Sequence, residues 1–237
     1  MQVNHRPIPG AVATADVDVR MQFIRRTYAH LLGALLAFVG VIWAIQQTQF
    51  AEDFTFWAWS GRGYNWLVVV GGFMLVSWLA DKWSHSDTSS AMQYVGLAVY
   101  VVAQAIIFTP LIHIAAFYSD PSVLPNSALL TAFLFTGLTG TVFLMRKDFS
   151  FLRGILAIGG FAALGLILCG ILFGFELGLW FAVAMIVYSA GVVLYQTSQV
   201  MAHYRPTQHV GAALGLFAAV ALMLYYVIMM FLNLSRD

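Results

Sequence analysis

Apolar stretches recur along the chain with short polar breaks, at roughly 28–46, 64–80, 91–118, 127–145, 154–174, 178–195 and 210–233. Most are near the roughly 20 residues an α-helix needs to cross about 30 Å of hydrocarbon, and the second is the shortest. None alternates over short segments as barrel strands do. The pattern predicts an all-α, polytopic membrane protein whose seven transmembrane helices pack as a bundle. Basic residues precede the first run, as in a signal peptide, but so do some 20 polar residues, and "AIQQTQF" after it is a poor cleavage site. It reads as a retained span.

Residues 1–20, "MQVNHRPIPGAVATADVDVR", hold two prolines, a glycine and no periodic apolar face. They are expected to form a disordered tail before a membrane domain over 21–237. The largest break, 47–63, reads as a loop whose Phe54, Phe56, Trp57 and Trp59 suit an interfacial aromatic belt. Composition changes the picture only by excluding alternatives. With 61% hydrophobic and 9% charged residues, the chain cannot clothe a soluble domain, which carries about 25% charge. Placed on a seven-span topology, Arg6, Arg20, Arg25, Arg26, Lys82, Arg146, Lys147, Arg153 and Arg205 share the N-terminal side, against Arg62 and Arg236 opposite. This bias predicts a cytoplasmic N-terminus and an external C-terminus. The net charge of +1 is topological, and no basic stripe with interleaved aromatics suggests nucleic acid.

Chemistry within the spans is sparse. All ten acids read as loop or tail residues, so the carboxylate at depth that a proton relay or cation carrier keeps is missing. His30 and His113 fall in spans one and three. His203 and His209 flank the last loop, six apart with Pro206 between them, which does not suit a metal site. His113, three residues after Pro110, is expected to satisfy a carbonyl freed by the proline kink. Cys169 alone can form no intrachain disulfide and reads as a packing residue. No G-x-S-x-G, H-E-x-x-H or phosphate-cradling loop suggests an enzyme or a cofactor. The small-residue pairs Gly33/Ala37, Gly137/Gly140, Gly170/Gly174 and Gly211/Gly215 read as internal packing rather than a dimerisation face. The oligomeric state stays open.

Two polar stretches stand out. In "VVLYQTSQVMAHY" (192–204), Gln196, Gln199 and His203 lie at i, i+3 and i+7 on one helix face, where the sixth span meets the loop. Gln196 reads as a structural clamp bonding neighbouring helices, Gln199 and His203 as a helix end meeting water. In "RKDFSFLRG" (146–154), Arg146 and Lys147 enforce topology, while Asp148 or Ser150 is expected to cap the next helix. The same basic patch could instead dock a partner or anionic lipid.

"RRTYAHL" (25–31), "RKDFSFLRG", "LYQTSQV" (194–200) and "AALGLFAAV" (212–220) together resemble the Bax inhibitor family, in particular its bacterial YccA-like branch, to which the terminal "SRD" is also similar. The resemblance implies helices packed around a hydrophobic seventh span and two lines of function. Some members are pH-sensitive calcium leaks, latched by an acid after the sixth span and another in the seventh. YccA-like members are substrates and modulators of the membrane AAA+ protease FtsH. The motif places the first acid at Gln196, within Gln196, Thr197, Ser198 and Gln199, and the second near Ala219. Neither residue titrates, so the latch does not carry over. The resemblance therefore implies a bacterial inner-membrane protein that acts on FtsH-type proteolysis by contact, with a cation leak as the alternative.

Overall fold

The computed structural model describes residues 10–60, 63–84, 90–145 and 147–235. Eight α-helices follow in order: α1 (Val17–Gln46), α2 (Gln49–Trp59), α3 (Tyr64–Ser84), α4 (Ser90–Phe117), α5 (Val123–Met145), α6 (Leu152–Phe173), α7 (Gly178–Ala202) and α8 (His209–Leu234). All but α2 are long and apolar enough to cross a membrane, which makes seven spans among the described residues. No strand occurs among them.

Helix α8 is the axis of the bundle. Most of its apolar window is buried, 61%, and 56% of that of α4, against 22% or less in the other five spans. The cause lies in its sequence. Gly211, Ala212, Ala213, Gly215, Ala219 and Ala221 are all buried, and such small side chains let neighbouring backbones approach where lipid offers no hydrophobic drive. Aromatic rings then lock α1 and α4 onto it. Phe38 meets Phe108 at 5.1 Å and Phe217 at 5.9 Å, while Tyr100 also meets Phe217 at 5.9 Å. These edge-on contacts add roughly 0.5–1.5 kcal/mol each beyond buried area. The outer helices keep one face for lipid, with Leu36, Leu129, Phe133 and Phe161 exposed.

Several sequence expectations change. Helix α1 begins at Val17 and carries Arg20, Arg25 and Arg26 within it. The expected tail is therefore structured from residue 10 onward. Residues 12–14 form a 3-10 turn in which Val12 is fully buried, and its N–H donates to the carbonyl of Tyr204 at 2.9 Å. Periodicity missed this anchor because one buried valine makes no pattern. Residues 1–9 lie outside the described residues.

The expected 47–63 loop contains α2, which buries Ala51, Thr55 and Ala58 at i, i+4 and i+7 and exposes Phe56, Trp57 and Trp59. Its buried face is too small-sided to register as an apolar stripe. Asp81, read as a loop acid, lies in the last turns of α3, while Glu52 and Asp53 lie in α2 and Asp18 in α1. Of the small-residue pairs, Gly211 is buried and Gly215 touches α7 side chains. Gly33, Gly137 and Gly140 have open space where a Cβ would stand, so those pairs face outward.

Helix α4 contains Pro110. The Gln46 amide, not His113, donates to a backbone carbonyl beside it, that of Thr109 at 3.0 Å, and His113 Nδ1 holds Gln46 Oε1 at 3.0 Å. The histidine thus acts one step removed, by orienting a glutamine from α1.

Candidate functional site at the motif end of the bundle

The two polar stretches singled out in the sequence meet. Ser198, 2% exposed on α7, accepts from the backbone N–H of Phe149 at 3.3 Å while its own hydroxyl donates to Tyr195 O at 2.9 Å. One turn position further, Gln199 Nε2 donates to the Ser150 hydroxyl at 3.0 Å. Ser150 in turn donates through both its hydroxyl and its N–H to Asp148 Oδ1. The result is a staple that fixes the α5–α6 connection against the end of α7. Asp148 and Ser150 do not occupy the N-cap of α6, which is Phe151 and makes no side-chain hydrogen bond; they close a turn of their own. Gln199 is thus bonded to protein rather than simply meeting water. His203 is the C-cap of α7, and its Nδ1 is buried without a partner. Lys147 is exposed, and Arg146 lies outside the described residues.

Gln196 faces α8. A Cβ on Gly215 would come within 2.9 Å of Gln196 Oε1 and 3.4 Å of the Tyr204 hydroxyl. The glutamine and the tyrosine are therefore seated on bare backbone that only glycine leaves open. Ala219, one turn along α8, sits instead in an apolar cluster with Val193, Met223 and Val227. Positions 196 and 219 occupy successive rungs of the α7–α8 contact: the first is polar, the second dry. Burial holds the Tyr204 hydroxyl well above the ordinary tyrosine range, with the Asp81 carboxylate and Tyr195 adding to it. Asp81 also acts on Tyr100. The acid that sequence reading placed in a loop thus acts electrostatically on the tyrosine that ends the 192–204 stretch.

Thr197 points into a third environment. Its hydroxyl, with that of Thr139 on α5, faces the Tyr28 hydroxyl on α1. All three oxygens are buried and none makes a well-formed hydrogen bond. The three form a loosely bonded polar cluster inside an otherwise apolar bundle.

A histidine pair completes this end. His30 on α1 and His209 at the start of α8 lie edge to face, centroids 5.0 Å apart. His30 Nδ1 contacts Arg26 O at 2.7 Å, and since a carbonyl only accepts, the proton is on Nδ1. In the neutral ring Nε2 then accepts from the Tyr94 hydroxyl of α4 at 3.0 Å. Sequence spacing gave no signal for this pair, because 30 and 209 meet only through the fold.

Seven apolar helices around a buried α8, with two loop motifs stapled at one end, define a multi-pass helical membrane protein with its distinctive polar residues concentrated at one end. The sequence matches the family described as "Inhibitor of apoptosis-promoting Bax1" over residues 20–237. The chain belongs to this Bax inhibitor family. It is also similar to a protein of Pseudomonas aeruginosa named "Uncharacterized protein PA2604", 27% identical over 204 residues that cover 83% of this chain and 82% of the relative.

Proposed function

We propose that this member of the Bax inhibitor family is a YccA-like protein of the bacterial inner membrane, with its N-terminus and motif end in the cytoplasm, that modulates an FtsH-type membrane protease by contact. One observation carries the reading: the motif residues Ser198, Gln199, Ser150 and Asp148 are used to brace a loop rather than to build a titrating pair. The braced loop presents Lys147, Asp148, Phe151 and Arg153 outward, with Phe151 67% exposed. A fixed loop bearing an aromatic and two cations suits a protein contact, since aromatic and arginine side chains supply most contact energy. Gln196 and Ala219 support the same reading, because neither can exchange a proton.

The test is affinity purification of the tagged protein from its bacterium in mild detergent, with Phe151→Ala alongside. Co-purification of a membrane AAA+ protease, weakened several-fold by Phe151→Ala, is expected. Calcium-loaded liposomes form the second arm. A robust calcium flux with a pH transition between roughly 6 and 8, and no protease captured, overturns the contact reading in favour of a cation leak. Reporter fusions settle orientation independently: one after Asp237 is expected to be active outside the cytoplasm and one in the 147–153 loop inside it.

A further inference from the structure

Helices α1 and α4 touch through the buried rings of Phe38 and Phe108, and a cavity of about 580 Å³ opens between them along residues 29–41 of α1. Its α1 wall includes Gly33, Ala34 and Ala37, and its α4 wall Leu97, Ala98 and Val101. A Cβ on Gly33 would meet nothing within 4 Å. The floor is apolar and made of small side chains, so the groove is open to the surrounding lipid. From Ala29 to Val41 it runs about 18 Å at ~1.5 Å per residue, close to the ~15 Å of one leaflet's hydrocarbon. A partner's transmembrane helix would need a seam across both leaflets.

The motif end of the groove has a different chemistry. His30 and Tyr94 also line the cavity, one from each wall, and bond to one another across it. Arg26, exposed one turn before His30, lies close enough to act electrostatically on His209, the ring that packs against His30. Arg25 is exposed beside it. The described charges at this mouth are therefore positive, and the Tyr94 hydroxyl, which donates to His30 Nε2 in this structure, can turn to an arriving anion.

We propose that the α1–α4 groove binds one anionic phospholipid, with an acyl chain along Gly33, Ala37 and Ala98 and the phosphate at Arg26 and the Tyr94 hydroxyl. The length match selects a lipid chain over a helix, and the guanidinium selects an anionic headgroup over a zwitterionic one. Binding would close the groove with lipid, joining α1 to α4 at the end where the motif loops are braced.

The test uses the full-length protein in nanodiscs and, by native mass spectrometry, in nonionic detergent. Phosphatidylglycerol and phosphatidylcholine are compared on the unmodified chain, on Gly33→Leu/Ala37→Leu, which fills the groove, and on Arg26→Gln/Tyr94→Phe, which leaves it open. Gly137→Leu, equally open on α5, is the control. The expected result is one retained phosphatidylglycerol per chain in the unmodified and control proteins, reduced at least several-fold in both groove variants, with phosphatidylcholine weakly retained throughout. Equal retention of the two lipids by the unmodified protein overturns the proposal. So does unchanged phosphatidylglycerol retention in the filled variant, or a chain dimer that this variant abolishes while lipid retention persists. Should the filled variant fail to fold, the Arg26→Gln/Tyr94→Phe protein decides the matter alone.

Discussion

The backbone N–H of Phe149 donates to the Ser198 hydroxyl at 3.3 Å, joining positions 49 residues apart. Gln199 donates to Ser150 beside it at 3.0 Å. Each bond is worth roughly 0.5–1.5 kcal/mol net, and because both act on the same short loop they are coupled. Ser198→Ala and Gln199→Ala should each lower the melting temperature modestly. In a double-mutant cycle Gln199→Ala with Ser150→Ala should cost less than the sum of the singles. Limited proteolysis should show faster cleavage within 147–153 in the Ser198→Ala/Gln199→Ala protein. Additive effects and unchanged cleavage would mean that the contacts brace nothing.

A methyl at Gly215 should displace the Gln196 amide. A Cβ there would stand 2.9 Å from Gln196 Oε1, the far end of a flexible side chain, so the cost should fall toward the low end of the roughly 1–3 kcal/mol typical of overpacking. Gly215→Ala should therefore lower thermal stability, and Gln196→Ala should restore much of the loss by removing the amide. Without that rescue, the clash is with the Tyr204 hydroxyl rather than with the motif glutamine.

Thr197→Val carries the opposite expectation. The Thr197 hydroxyl is buried beside those of Tyr28 and Thr139, which act on one another although none meets ordinary hydrogen-bond geometry. Replacing so loosely held a hydroxyl with a methyl of the same shape should cost little, since no well-formed bond is broken. The variant should melt close to the temperature of the unmodified protein. A marked loss of stability would show instead that the three hydroxyls bond firmly to one another.

At the far end of the bundle, Gln46 bridges Thr109 O and His113. Gln46→Leu leaves the buried imidazole without its acceptor and should cost about 1–3 kcal/mol. His113→Leu in the same chain should cost little more, because the partner is already gone. Thermal melts of the single and double variants check this.

What the sequence conveys follows from the range of the forces involved. Seven spans were legible because each needs only its own run of apolar residues, and the central place of α8 follows from its alanines and glycines. Helix α2 was hidden because its buried side is Ala51, Thr55 and Ala58, residues that carry no apolar periodicity. The motif stretches were conspicuous as polar residues beside apolar ones, yet nothing in either signals that Ser198 would meet Phe149. That pairing depends on α5 and α7 reaching the same end of the bundle. Likewise His30 and His209 have no local relation, and the open space at Gly33 depends on where α4 diverges. Sequence therefore identified most of the residues of the site, while their partners came from packing.

Val12 sharpens the last prediction, which concerns the N-terminal segment as a handle for an ATP-driven protease. Such an enzyme must grip a segment outside the packed bundle before it can pull. Val12 is fully buried and its N–H is held by Tyr204 O at 2.9 Å, so the chain is tied down from residue 11 or 12 onward, and those residues cannot serve as the grip. Full burial of a valine is worth roughly 1.5–3 kcal/mol. Two deletions thus separate grip from anchorage. Removing residues 2–9 spares Ala11, Val12 and the helix from Val17; it should lengthen the protein's lifetime in cells and strengthen any inhibition of proteolysis, since a protein that cannot be drawn in occupies the protease longer. Removing residues 2–18 also strips the anchor, and should lower the melting temperature and forfeit part of that gain. Pulse-chase measurements with and without the protease read both effects. If the 2–9 deletion and the full chain decay at the same rate, and neither captures a membrane protease, the handle and the contact function it serves are both wrong.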